Sequence, residues 1–142
     1  VHVVATDGKA GLGGTTATSV TSVSDSPPSL LVCLNQASQT LQRIRSNGAF
    51  SVNVLSSGQR DVADTFAGVT GLEGAARFRA GHGWRMGDGP PVLETGLASF
   101  ACTLADMFPV GSHMVVIGTV LQVQLGEDRQ PLIYHRRAYR AL

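Results

Sequence analysis

The sequence predicts a mainly β fold, an antiparallel Greek-key-like barrel with short helices packed at its ends. Segments rich in β-branched residues, several with period-two alternation, dominate the chain. Only two short stretches switch to a helical period, and strands and helices never alternate as a parallel βαβ sheet requires.

Taken in order, VHVVAT (Val1 to Thr6) reads as a strand. The glycine-rich DGKAGLGG then connects it to TTATSVTSVS, a second strand. SDSPP turns the chain with two prolines that cannot donate to a ladder. SLLVCL (Ser29 to Leu34) is a continuous apolar run, short enough for a strand buried on both faces. SQTLQRIRSNG then forms a short helix, with Leu41 and Ile44 three apart, Ser38 or Thr40 to cap it and Gly48 to end it. AFSVNVL alternates strictly, Phe50, Val52 and Val54 against Ser51, Asn53 and Leu55. A second helix is expected from Gln59 to Ala67, capped by Ser57, with Asp61 near its positive end and Val62, Ala63 and Phe66 as its apolar stripe. Gly68 to Pro91 is glycine-rich and irregular, with one helical turn near Glu73 to Phe78. Strands resume over Leu97 to Phe108 and His113 to Leu125, and GEDRQ turns the chain into PLIYH. The count is six or seven strands and two short helices.

The chain has 142 residues, which is room for one domain, 1–142, with a real core. Val1 already reads as mid-strand, so an N-terminal segment is expected to precede it. Hydrophobic residues make up 43% and charged residues only 15%, a surface so poor in charge that an oligomer is expected. A net charge of +1 with scattered basic residues argues against a nucleic-acid binder. The cluster of Arg136, Arg137 and Arg140 reads as a solvated C-terminal edge. No run approaches the ~20 apolar residues of a membrane span, and no signal peptide is visible. Cys33 and Cys102 lie inside apolar runs without a partner motif and read as buried, reduced thiols of a cytoplasmic protein.

The glycines of GKAGLGG do not form a dinucleotide fingerprint, because a strand-forming segment follows them where a helix is needed. His2, His82, His113 and His135 lack metal-ligand spacing, so no metal site is expected. No nucleophile elbow or paired carboxylate stands out. What remains is a set of small polar residues. Thr16, Thr18, Ser19, Thr21 and Ser22 share one strand segment. Asn35, Gln36, Ser38 and Thr40 lie between a buried strand and a helix, where free N–H groups and hydroxyls hold a phosphate without a lysine. His113, after a turn and before a strand, is placed to donate a proton or hydrogen bond at a barrel mouth.

In order and over almost the whole chain, TTATSVTSVSDSPPSLLVCLNQASQTL, GAFSVNVLSSGQ, ADTFAGVTG, PVLETGLASFACTLADMFPVGSHMVVIGTV and PLIYHRRAY resemble the flavin reductase-like family. The likeness is nearest to the reductase components of two-component flavin monooxygenases, that of 4-hydroxyphenylacetate 3-monooxygenase among them. The resemblance implies an FMN-binding split barrel that works as a homodimer with one FMN or FAD per subunit. It implies that Thr16 to Ser22 run along the flavin ring, that Asn35, Gln36, Ser38 and Thr40 hold the ribityl chain and phosphate, and that Phe50, Ser51 and Asn53 flank the flavin. His113 matches the histidine of the family's G-[DST]-H motif and takes the catalytic role. Tyr134 and Tyr139 match an aromatic-bearing C-terminal strand, with Tyr134 assigned to cofactor binding. The implied reaction is reduction of flavin by NADH or NADPH, with reduced flavin passed to an oxygenase. Two alternatives stay open: reduction of a bound acceptor such as a cobalt corrin in cobalamin biosynthesis, or a flavin- or haem-binding module without turnover.

Overall fold

A computed structural model describes residues 1–142. Strands β1 (His2–Thr6), β2 (Gly13–Ala17), β3 (Val20–Asp25) and β4 (Pro28–Asn35) come first, then helix α1 (Gln39–Asn47) and β5 (Ala49–Val54). Helix α2 (Arg60–Phe66), a 3-10 turn at Gly74–Arg79 and the two-residue strands β6 (Trp84–Arg85) and β7 (Val92–Leu93) make up an excursion. The long hairpin β8 (Ala98–Val110) and β9 (His113–Leu125) and the short hairpin β10 (Leu132–His135) and β11 (Ala138–Ala141) complete the chain. The main sheet runs β2-β1-β5-β8-β9-β4-β3, and every pairing is antiparallel.

The two ends of that order are one piece of chain. The sequence predicts a single strand over TTATSVTSVS, but it breaks at Thr18 and Ser19. Its first half pairs with β1 (Val3 opposite Thr16) and its second half with β4 (Val20 opposite Val32). The break lets one segment serve two neighbours, so the two ends of the sheet order are joined through continuous chain and the sheet curls into a barrel. β-Branched side chains and alternation specify the strand. The bend is specified by pairing with distant partners.

One buried cluster fills the barrel, with Val4, Val32, Phe50, Val52 and Val116 at its centre. Gly118 makes room there: a Cβ on it would lie 2.6 Å from the Phe50 ring and 2.8 Å from Cys102. A second cluster, including Val3, Leu55, Phe66, Phe78 and Leu93, packs α2, the excursion and the C-terminal hairpin outside the barrel. Phe66, Phe78 and Trp84 meet there edge to face or tilted, with ring centroids 5.0 to 5.2 Å apart. β1 feeds both clusters, which explains why VHVVAT is apolar without alternation.

Several expectations need correction. SLLVCL is not buried on both faces: Leu30, Val32 and Leu34 point inward, while Leu31 and Cys33 are half-exposed. Only Cys102 is a fully buried thiol, and burial pushes it up to about 12. Ser57 does not cap α2. Gln59 occupies the cap position, and its side chain accepts from Ser56 N at 2.9 Å and donates to Thr95 O and Oγ1 at 3.0 Å. The arginines of RRAYR are exposed, as expected of a solvated edge, although Ala138–Ala141 is ordered as β11 with Arg136 and Arg137 in the hairpin turn. Helix α1 is as expected. Ser38 accepts from Leu41 N at its start, and Gly48 ends it at φ 74°, a left-handed conformation that suits glycine. No helix is long and apolar enough to cross a membrane.

Candidate functional site

The N-terminus of α1 opens into a polar hollow of about 250 Å³. Gly13, Gly14 and Thr15 of β2 form one wall, and Ser38, Gln39 and Thr40 another. Two residues that sequence reasoning missed, Arg43 and Arg77, add guanidinium groups, and Glu73, beside Gly74, adds one carboxylate to the lining. Arg43 Nη1 donates to Leu12 O. Arg77 is tied down by Leu72 O at 2.8 Å, Gly14 O at 3.1 Å and Phe66 O at 3.4 Å. No hydrophobic residue lines the hollow. A helix N-terminus, two hydroxyls and two arginines in one polar cavity suit a phosphate group. No local motif announces the arginines, because Arg77 arrives only when the excursion folds back onto Gly14.

The other expected residues divide into four groups. Thr16 and Thr18 line a shallow hollow of about 240 Å³ with Ala67, Tyr134 and Tyr139. The tyrosine rings lie 5.2 Å apart, and the Arg60 guanidinium sits 5.8 Å from the Tyr139 ring centre. Burial, then Asp64 and Tyr134, raise the Tyr139 hydroxyl above its ordinary pKa, partly opposed by Arg60. Thr16 Oγ1 already donates to Ala63 O at 2.7 Å. Ser19 is exposed at the strand break, between the two halves of the segment.

Thr21 and Ser22 face a different space, an apolar hollow of about 360 Å³ with Val20, Leu30, Phe100 and Val123 in its walls. Asn35 and Gln36 come together with His113, since Asn35 is paired with His113 across β4 and β9. Asn35 Oδ1 accepts from Ala37 N at 2.8 Å, which shapes the loop leading into α1. His113 is exposed, and its Nδ1 lies 2.8 Å from the Ser112 hydroxyl.

Phe50, Ser51 and Asn53 line none of these hollows. All three are completely buried. Phe50 belongs to the barrel core. Ser51 donates to Pro91 O. Asn53 donates to Val3 O at 3.1 Å and Ser51 Oγ at 2.9 Å, and accepts from Leu93 N at 2.9 Å and Ser99 Oγ at 2.8 Å. The alternation of AFSVNVL is as expected, but the excursion covers the face that was assigned to a ligand.

The molecule is thus a closed antiparallel barrel with a phosphate-sized polar hollow at a helix start. A polar strand segment leads away from that hollow, with Thr16 and Thr18 on one neighbouring hollow and Thr21 and Ser22 on another. A family model described as the flavin reductase like domain matches residues 1–142. FMN reductase (NADH) RutF 1 of Methylorubrum extorquens is 42% identical over 142 residues, all of this chain and 69% of that protein. Among solved structures, BorF, the flavin reductase component of a bacterial two-component tryptophan halogenase, has a TM-score of 0.90 at 31% identity, covering 99% of this chain and 89% of its own. A homologue of nitrilotriacetate monooxygenase component B from Mycobacterium thermoresistibile has a TM-score of 0.87 at 30% identity, covering 99% and 78%. The chain belongs to the flavin reductase-like family. It is a flavin reductase, an oxidoreductase with the family's barrel.

Proposed function

We propose that residues 1–142 form one domain that reduces FMN with NADH and releases reduced flavin to a separate oxygenase. The observation that carries this is the polar hollow at α1. It offers a monoester phosphate the free N–H groups of a helix start, two hydroxyls and two arginines. When bound, the flavin supplies the two-electron redox chemistry.

The chain's own residues bind and orient. Ser38 and Thr40 hold the phosphate, and Arg43 and Arg77 balance its charge. Thr16, Thr18 and Ser19 follow the ribityl chain and ring edge, with Tyr134 as an aromatic wall, while Thr21 and Ser22 face the separate apolar hollow. His113 stands at the open end, where its imidazole orders the nicotinamide or gives a hydrogen bond to the reduced ring. The relatives' names support the reading, with FMN and NADH in one and oxygenase or halogenase components in the others.

The domain acts as a homodimer in this reading. Leu121 and Leu125 are more than two-thirds exposed on β9, and Val123 beside them borders the apolar hollow. A second copy covering that face would also bring Thr21 and Ser22 into an enclosed space. Two free cysteines fit a reducing compartment, and we assign the protein to the cytoplasm.

The test is anaerobic mixing of the protein with NADH and excess free FMN. NADH loss should rise with FMN and saturate at micromolar flavin, and sedimentation should give a dimer. Tightly held flavin that gives no turnover with free FMN but rapidly reduces a cobalt corrin would overturn the release reading.

A further inference from the structure

His113 is the first residue of β9, at the tip of the β8–β9 hairpin, where the ladders to Val110 and Asn35 end. Gly111 takes φ 56°, and the residues from Phe108 to His113 are all exposed. A side chain on such a turn is only as fixed as the backbone beneath it. From the β4 side that backbone is held by Asn35, which pairs with His113, and by Gln36 just beyond the end of β4. The Gln36 N–H donates to Ser112 O at 3.0 Å, and its side-chain amide nitrogen donates to Gly111 O at 2.8 Å and, more weakly, to His113 O at 3.4 Å. Three consecutive carbonyls of the turn therefore take bonds from Gln36.

Gln36 is itself anchored, since the Gln42 amide in α1 donates to the Gln36 carbonyl at 3.2 Å. A glutamine amide has two N–H donors. Here that nitrogen is turned onto hairpin carbonyls, away from the α1 hollow, whose lining does not include Gln36. Ser112 completes the arrangement. Its hydroxyl lies 2.8 Å from His113 Nδ1, and in the tautomer with the proton on Nε2 it is the hydroxyl that donates.

We infer that Gln36 is a positioning residue: it locks the Gly111–His113 turn and aims the His113 imidazole, linking the loop that leads into α1 to the reducing end of the site. The inference departs from the expectation that Gln36 contacts flavin. Its catalytic half rests on the placement of His113 at the reaction under the proposed function.

The experiment compares Gln36→Ala with Gln36→Arg, whose long side chain keeps N–H donors, in the full chain. Backbone order of Gly111–His113 is read by NMR without flavin, and FMN affinity and single-turnover flavin reduction are read separately. In Gln36→Ala the turn should drop from rigid order parameters near about 0.85 to below about 0.6. Reduction should slow about tenfold, while FMN affinity changes less than about twofold. Gln36→Arg should restore both order and rate. An unchanged turn overturns the inference, as does FMN affinity that falls with the rate while the turn stays ordered, which would make Gln36 a ligand. A loosened turn with wild-type reduction would uphold the lock and remove His113 from the reaction, a result His113→Ala would reproduce independently.

Discussion

Ser51, Asn53 and Ser99 on β5 and β8 are the same kind of small polar residue as Ser38 and Thr40 at α1, and both sets are well buried or half-buried. The difference is in where their hydrogen-bonding capacity goes. Around Asn53 four bonds close the account inside the protein, to Val3 O, Ser51 Oγ, Leu93 N and Ser99 Oγ. Around α1 the groups open into a cavity that also contains Arg43 and Arg77. A buried polar group must find a partner. A network that has found its partners within the chain builds the fold, and one that faces a cavity is left to recognise a ligand.

The largest expected effect tests the closed side. Asn53→Leu keeps the volume but strands Leu93 N–H in a dry interior, leaving Ser51 Oγ with only Pro91 O and Ser99 Oγ with only the long bond to Leu93 O. An orphaned buried group costs about 1–3 kcal/mol, and with the bonds of both serines to Asn53 also lost the variant should lose about 3 kcal/mol or more. Chemical denaturation checks it. A variant with wild-type stability and weakened FMN binding would reverse the comparison and return Asn53 to the site.

The open side should show the opposite pattern. Ser38→Val with Thr40→Val should weaken FMN binding by about 1.5–3 kcal/mol for each lost charge-assisted bond. Riboflavin, without the phosphate, should be little affected. Losing the Ser38 cap also costs about 1 kcal/mol of stability, but that cost is common to both ligands and leaves their ratio untouched. Equal losses for FMN and riboflavin would show that the hollow does not hold the phosphate.

His113→Ala should have a smaller and more selective effect. Flavin reduction by NADH should slow about tenfold to a hundredfold, with FMN affinity nearly unchanged, because the imidazole acts on orientation at the reacting end. Stopped-flow reduction at saturating FMN separates the two quantities. Normal kinetics would leave His113 an exposed turn residue.

What was legible in the sequence follows the range of the interactions involved. Helix α1 could be read to its caps, because Ser38 and Gly48 act on groups within one turn. The strands could be read because alternation is local. The break at Thr18 and Ser19 could not, since β-branched residues continue across it and only pairing with β1 and β4 defines it. Phe50, Ser51 and Asn53 misled for a related reason. Their alternation is visible, but the residues that bury the polar face, Pro91 and Leu93, lie in a glycine-rich excursion without local signals. Arg43 and Arg77 were missed because neither belongs to a motif and their meeting depends on the same excursion. Gln36 was grouped with its neighbours by proximity in sequence, whereas its amide turns toward a hairpin far along the chain.

The smallest predicted effect concerns a polar group that fits neither side of the comparison. His2 Nδ1 is buried without a partner, yet His2 lies on the rim of the apolar hollow, away from the α1 cavity. Burial first, then the positive charge at Val1, lowers its pKa from 6.5 to about 4, partly opposed by a hydrogen bond with the Ala17 backbone. The folded protein therefore refuses a proton that the unfolded chain accepts. Above pH 6.5 both states are neutral at this residue, and it adds no pH dependence. As pH falls from 6.5 toward 4 the unfolded state is favoured progressively, and below about 4 the penalty is complete. The ring is partly solvated, so the penalty should be modest, about 1–2 kcal/mol. Thermal melts from pH 7 to pH 4 should fall more steeply for the wild type than for His2→Gln, which cannot be protonated. If a second copy covers the apolar hollow, the ring becomes drier, and the difference between the two proteins should widen with protein concentration. Parallel melting curves at every concentration would show that His2 is solvated in both states, and that an unpartnered buried nitrogen marks neither a site nor a sensor here.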